Sequence, residues 1–314
     1  MDYTGLFPKF KINRPLTDEE RELRFDQKKR IDCEPVHQLA VIKINSTYLE
    51  TTDKFYAWTG WLATGMLLVG LLVTVSLVAT HIEAWAKVNW DEPFFDEFTA
   101  LNVMVAITIM FTPIIIASIW GFKLEAFRYT HYPIRFNRKT RMVHAFRFDG
   151  TVISAPWDDL FFTLGRGNRR NFIQNWDIRA HVIDIDGVTV RDTFSLGLHF
   201  DEKEALNRFW ELHRRYMEEG PQSISSIVQV YMPIAEKRET FWFGFQRWRG
   251  NMLLSPIAFY LETPAALFSS VGRWVAMQTS KVPQWPTEIE DACKIEPNDP
   301  YRRDERDNPK NMWG

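Results

Sequence analysis

Two windows constrain what this chain can become. Residues 55–80, FYAWTGWLATGMLLVGLLVTVSLVAT, and residues 98–122, FTALNVMVAITIMFTPIIIASIWGF, contain no charged side chain. About 20 consecutive apolar residues carry a helix across the hydrocarbon of a bilayer. A soluble core rarely needs two uninterrupted runs of that length, so both are expected to be membrane spans joined as a hairpin. Tyr56, Trp58, Trp61 and Trp120 stand near their ends, where amphipathic rings favour the headgroup level. Pro113 is expected to kink the second span, which membranes tolerate when neighbours or Thr and Ser side chains satisfy the freed carbonyl. Gly60, Gly65 and Gly70 recur every five residues, each turned about 140° from the last at 100° per residue, and so form no four-residue small-residue stripe. With no charge inside either run, an ion or proton pathway has little support.

The flanks set an orientation. Lys28, Lys29, Arg30, Lys43 and Lys54 precede the first run, and Lys123, Arg128, Arg135, Arg138, Lys139, Arg141 and Arg147 follow the second. The connection HIEAWAKVNWDEPFFDE carries one lysine against Glu83, Asp91, Glu92, Asp96 and Glu97. The excess of bases on the cytoplasmic side of spans then puts both termini in the cytoplasm of a bacterial inner membrane and the short acidic loop outside. Overall the chain is 25% charged with a formal net charge of −2, which gives no support to nucleic-acid binding. Its two cysteines, Cys33 and Cys293, lack metal spacing and are expected to be free thiols. The N-terminus has no apolar stretch of the kind that marks a cleavable signal peptide.

The expected class is α+β. Residues 1–54 form a cytoplasmic arm with a helix at 17–30, because Thr17 and Glu20 make a capping box and acids lead bases through TDEERELRFDQKKR. Residues 123–221 read as strands with hairpin turns at Asp149-Gly150 and Asp186-Gly187. An amphipathic helix at 201–219 closes them and stops at Gly220-Pro221. That order matches a pleckstrin-homology-like domain. Residues 222–282 are aromatic-rich and interrupted by Pro256 and Pro264. They are expected as helices at the membrane interface or packed on the spans, with a cover over the β-domain as the plainer alternative. The segment 283–314 reads as an extended tail.

Chemistry is sparse. Seven histidines make no metal-binding or nucleophile motif, and Gly165-Arg166-Gly167 lacks the further glycine of a nucleotide loop. Asp158-Asp159 is expected to cap a turn rather than hold a metal. No catalytic residue, cofactor or metal is therefore expected. Contacts with lipid or a partner are expected at Arg166, Arg169, Arg170, Trp242, Trp248 and Arg273, the arginines being cations suited to anionic headgroups.

KINRPLTDEER, the two-run hairpin, YPIRFNRKTRMVHAFRFDGTVISAPWDDL and PQWPTEIEDACKIEPNDPYRRD together resemble the bacterial family known as domain of unknown function 6708. Similar proteins occur beside type VI secretion components and polymorphic toxins. The resemblance implies a non-enzymatic inner-membrane accessory protein, acting in effector immunity or as a cargo adaptor. Its partners would be the phospholipid bilayer and a secretion component or toxin effector. The alternatives are a secreted effector that inserts into a target membrane and forms pores, and a membrane-bound hydrolase using Asp158 or His181.

Overall fold

The computed structural model describes residues 10–53, 55–88, 91, 93–166, 176–200, 202–252 and 256–309. The early strands are β1 (Arg14–Pro15), β2 (Arg24–Phe25), β3 (Val41–Ile44) and β4 (Tyr48–Thr51), with helix α1 (Asp18–Glu22) between the first two. Helices α2 (Trp61–Ala86) and α3 (Pro93–Lys123) follow. Then come β5 (Ile134–Asn137), β6 (Met142–Phe146), β7 (Val152–Pro156), β8 (Leu160–Arg166), β9 (Trp176–Ile183) and β10 (Thr189–Phe200). Helices α4 (Lys203–Glu219), α5 (Phe241–Met252), α6 (Pro256–Thr279) and α7 (Thr287–Ala292) complete the order. The chain divides into a β-unit, Met1–Ala57 with Tyr129–Glu239 and Lys281–Gly314, and a helical unit, Trp58–Arg128 with Thr240–Ser280.

The β-unit holds two antiparallel sheets, ordered β3-β4-β5-β6-β7 and β1-β10-β9-β8-β2. Both Asp-Gly turns form as their chemistry requires. Asp149 Oδ1 accepts from the Thr151 N–H, and Gly150 takes φ +87°. Asp186 Oδ1 accepts from Val188 and Thr189, and Gly187 takes φ +69°. Helix α4 lays Leu206, Phe209, Trp210, Tyr216 and Met217 into the core and ends at Gly220, φ +96°. There Trp210 stacks on Trp157 with ring centroids 5.5 Å apart and on Phe25 at 5.0 Å. The apolar period of the helix and the alternation of the strands thus converge on one core.

Three expectations about the β-unit change. The capping box at Thr17 forms, yet the helix it starts is five residues long, not 17–30. Phe25 is drawn out of helical register because β2 pairs with β8, opposite Phe162, and buries the ring on Trp210. Tertiary burial outweighs local propensity here. The arm is also not separate from the sheets, since it supplies β1 and β2 to one and β3 and β4 to the other. The closing segment is not a bare extended tail. Arg135 sits between the rings of Tyr48 and Trp285, at 4.4 and 4.7 Å, and binds Glu50 and Glu290. Cys293 and Ile289 are buried, Asp299 accepts from the Ser46 backbone and hydroxyl, and Arg303 exchanges backbone hydrogen bonds with Ile44.

Strands β4 and β5 are neighbours, with Thr51 opposite Ile134, so everything from α2 to α3 is inserted into the connection of one β-hairpin. Asp53 closes that insertion. Its Oδ1 accepts from the Tyr132 N–H at 3.0 Å, on the returning chain, and its Oδ2 from Phe55 at 2.9 Å, on the departing chain. A buried carboxylate with these partners fixes both ends of a long excursion, whose closure entropy grows only slowly with length.

In the helical unit α2 starts at Trp61, six residues after the expected start, because Gly60 at φ +97° breaks the helix from the short turn at Tyr56–Trp58. Helix α2 continues to Ala86, and α3 begins at Pro93. Most of the expected outer loop is therefore helical. Pro113 lies within an uninterrupted α3, and the preceding Thr112 bonds back to the Thr108 carbonyl. Nor does Pro264 break α6, which runs 24 residues.

Candidate functional site

The helical unit is organised around the start of α2. The first N–H groups of a helix have no partner within it, and here a distant carboxylate supplies one. Glu125 Oε2 accepts from Gly60 and Ala63 at 3.0 and 2.8 Å. Arg273 of α6, fully buried, donates to the Thr59 carbonyl at 2.9 Å. Thr64 donates to the Ser269 carbonyl at 2.9 Å. Trp248 of α5 packs against Trp58 and Trp61. Further along, His81 Nε2 meets the Thr108 hydroxyl at 3.1 Å, joining α2 to α3.

Helices α2 and α6 approach until their backbones touch. A Cβ added to Gly272 would stand 2.7 Å from Thr64 Cα and 2.8 Å from Thr64 N. Neither backbone atom can step aside without separating the helices. Gly272→Val is expected to destabilise the detergent-solubilised chain by about 1–3 kcal/mol, the usual effect of overpacking. A thermal melt with an unchanged midpoint would show that the helices do not meet at this point.

Away from the contact, the helices are bare. The most apolar stretches of α2 and α3 are only 11% and 6% buried, respectively. Both helices are long and apolar enough to cross a membrane. Helix α6 adds an exposed stripe of Leu267, Phe268, Val271 and Trp274, spaced to share one face.

The expected contact residues separate into two kinds. Arg166 is on the surface, but it pairs with Glu19 at 2.6 Å and lies over the Trp176 ring at 5.0 Å. Trp242 is exposed. Trp248 and Arg273 are buried, and their partners are the residues around the start of α2, so neither offers a surface contact. Arg169 and Arg170 lie outside the described residues. Gly165 belongs to β8, paired with Asp177.

Asp158 does not cap its turn. It binds Arg141 at 2.5 and 2.6 Å and Lys28 at 2.9 Å, and the Arg141 guanidinium holds its carboxyl down at about 2. His181 is buried beside Thr193 and Glu20, so the two residues named for a hydrolase have different partners. Among the described residues no group of three or more His, Cys, Asp or Glu could hold a metal ion.

Two openings among the described residues of the β-unit bear on its surface chemistry. One, of about 230 Å³, lies against β10, β5 and β6 and is lined chiefly by Ile12, Ile134, Phe146, Phe148 and Phe194, with Ser195 in its wall. The other, about 610 Å³, is polar and cationic, with Tyr129, Glu236, Lys237, Arg238, Lys281 and Gln284 around it. These three cations belong to no sequence motif, although Lys237-Arg238 and Lys281 bracket the apolar segment that begins at Phe241.

A family model described as a family of unknown function (DUF6708) matches residues 111–297, from within α3 to just past α7. No curated protein and no solved structure matches the chain.

Proposed function

The chain belongs to the DUF6708 family, and on that premise we propose that it is a membrane-anchored, non-enzymatic binding protein. The observation that carries this reading is the bareness of α2 and α3. Soluble proteins rarely leave contiguous apolar patches beyond a few hundred Å² in water, whereas a bilayer is the natural solvent for such helices. The flanking bases favour an inner-membrane hairpin with both chain ends in the cytoplasm and the acidic connection outside.

The β-unit is then the binding part. Its antiparallel meander β4–β7, followed by β8–β10 and the core-filling helix α4, supports a pleckstrin-homology-like reading in which the spans interrupt the first hairpin. The resemblance to proteins found beside type VI secretion genes makes a secretion component or toxin effector the proposed protein partner, met in immunity or cargo handling. The connection between α2 and α3 is too short for a folded module, so that partner is met in the cytoplasm or within the bilayer.

Alkaline carbonate washing of membranes from cells expressing the full chain is expected to leave it in the pellet, with tags at both ends protected from external protease. Release into the wash, or a tag cut from outside, removes the basis of this reading. A pull-down from detergent-solubilised membranes should recover the secretion partner. Recovery of none, together with no growth rescue against neighbouring toxins, would remove the secretion role.

A further inference from the structure

We propose that the cationic cleft of the β-unit binds the phosphate headgroup of an anionic phospholipid from the membrane that holds the spans. Three cations, Lys237, Arg238 and Lys281, face one carboxylate, Glu236. That carboxylate is engaged by Lys43 at 2.9 Å, and Lys237 is partly engaged by Glu305 at 2.9 Å. Lys281 has no ion-pair partner among the described residues. Tyr129 and Gln284 add neutral donors to the same opening. A phosphate diester carries one negative charge and several acceptor oxygens, which suits a cradle of ammonium, guanidinium, phenol and amide donors.

The covalent chain argues for the bilayer as the source. Arg238 is three residues before α5, and Lys281 is two residues after α6. At no more than about 3.6 Å per residue, the two backbones lie within about 11 Å and about 7 Å of those helix ends. Helix α6 is the one with the exposed stripe of Leu267, Phe268, Val271 and Trp274. An apolar stripe flanked closely by bases is how a peripheral helix meets anionic lipid. On the other side of the cleft, Thr130 donates to the Lys281 carbonyl at 2.9 Å, tying this strand of chain to the one returning from α3. The cleft is therefore bordered by chain that enters and leaves the apolar segments, whatever the angle between the units.

The inference rests on the membrane reading above, and its test separates the two. The delipidated full chain in detergent is offered phosphatidylglycerol or phosphatidylcholine, and retained lipid is counted by native mass spectrometry. Wild type is expected to prefer phosphatidylglycerol at least about fivefold, the factor that about 1 kcal/mol per basic residue near an anionic surface confers. K237E/R238E/K281E should abolish the preference, and Lys281→Gln, a milder change at an exposed position, should weaken it with an unchanged circular dichroism spectrum. Equal retention of both lipids by wild type overturns the inference, as does a preference that survives the triple substitution in folded protein. If millimolar inorganic phosphate displaces phosphatidylglycerol, the cleft is a free-phosphate site and the lipid assignment falls. Carbonate resistance without lipid preference would leave the anchor standing and this cleft refuted, whereas carbonate release would refute the anchor itself.

Discussion

Acidification from pH 6.5 to 4 is expected to unfold the β-unit. Burial pushes three of its histidines below their usual range: His131 to about 3, and His144 and His213 to about 4, with the Arg135 charge assisting at His144. Unfolding returns each to a value near 6.5, so the unfolded chain binds more protons in this window and stability rises with pH. Their contribution is complete above about pH 6.5 and is lost as pH falls toward the folded values. One pKa unit corresponds to about 1.36 kcal/mol, so three groups together remove up to about 4 kcal/mol per pH unit. Asp53 acts in the opposite direction. Desolvation raises its carboxyl to about 6, so the folded state takes up that proton first and regains about 1.4 kcal/mol per pH unit between about 6 and 4. The net loss, roughly 3 kcal/mol per pH unit over that range, is large beside a typical domain stability of about 5–15 kcal/mol. Tryptophan-fluorescence denaturation at stepped pH measures it. A midpoint that does not move between pH 6.5 and 4 would mean that these histidines are not buried neutral.

Glu211→Ala should cost the β-unit about 3–5 kcal/mol, the usual penalty for stripping one partner from a buried ion pair. Glu211 is fully buried in α4 and serves three donors at once. Its Oε1 accepts from Arg214 Nε at 2.7 Å and from the Ile31 N–H at 2.9 Å, while its Oε2 accepts from Arg214 and Arg215, each at 2.9 Å. Removal leaves two arginines with diminished partners and an N–H with none, and it unties the N-terminal segment from the closing helix. Lys28→Ala gives the contrast. Lys28 also bridges two carboxylates, Asp158 and Glu218, but stands largely in water, where such pairs contribute at most about 1 kcal/mol. Urea midpoints compare the two. Equal small shifts would show that Glu211 is solvated in the folded protein.

Much of the local structure was legible because its causes are local. The Asp-Gly turns, the capping box at Thr17, the amphipathic period of α4 and its stop at Gly220 each depend on residues within a few positions of one another. The two apolar helices were legible for a different reason: a run without charge over more than 20 residues has few other folded outcomes. The candidate contacts fared less evenly. Trp242 is on the surface as composition suggests, but nothing near Trp248 or Arg273 announces that both are buried at the start of α2. Their partners, Trp61 and Thr59, lie 187 and 214 residues away in sequence, respectively.

By itself, then, the sequence determined the kinds of element, the turn positions and the separation of charged from apolar segments, since sterics, capping and hydropathy act over short distances along the chain. Tertiary structure alone decided that Arg24–Phe25 would be strand rather than helix, that the arm and closing segment would complete the sheets, and that the helices would emerge from between β4 and β5. It also gathered Lys237, Arg238 and Lys281 around one cleft. Those outcomes depend on burying Phe25, pairing strand edges and satisfying Arg135 with partners far along the chain. Such partners become neighbours only when the core closes.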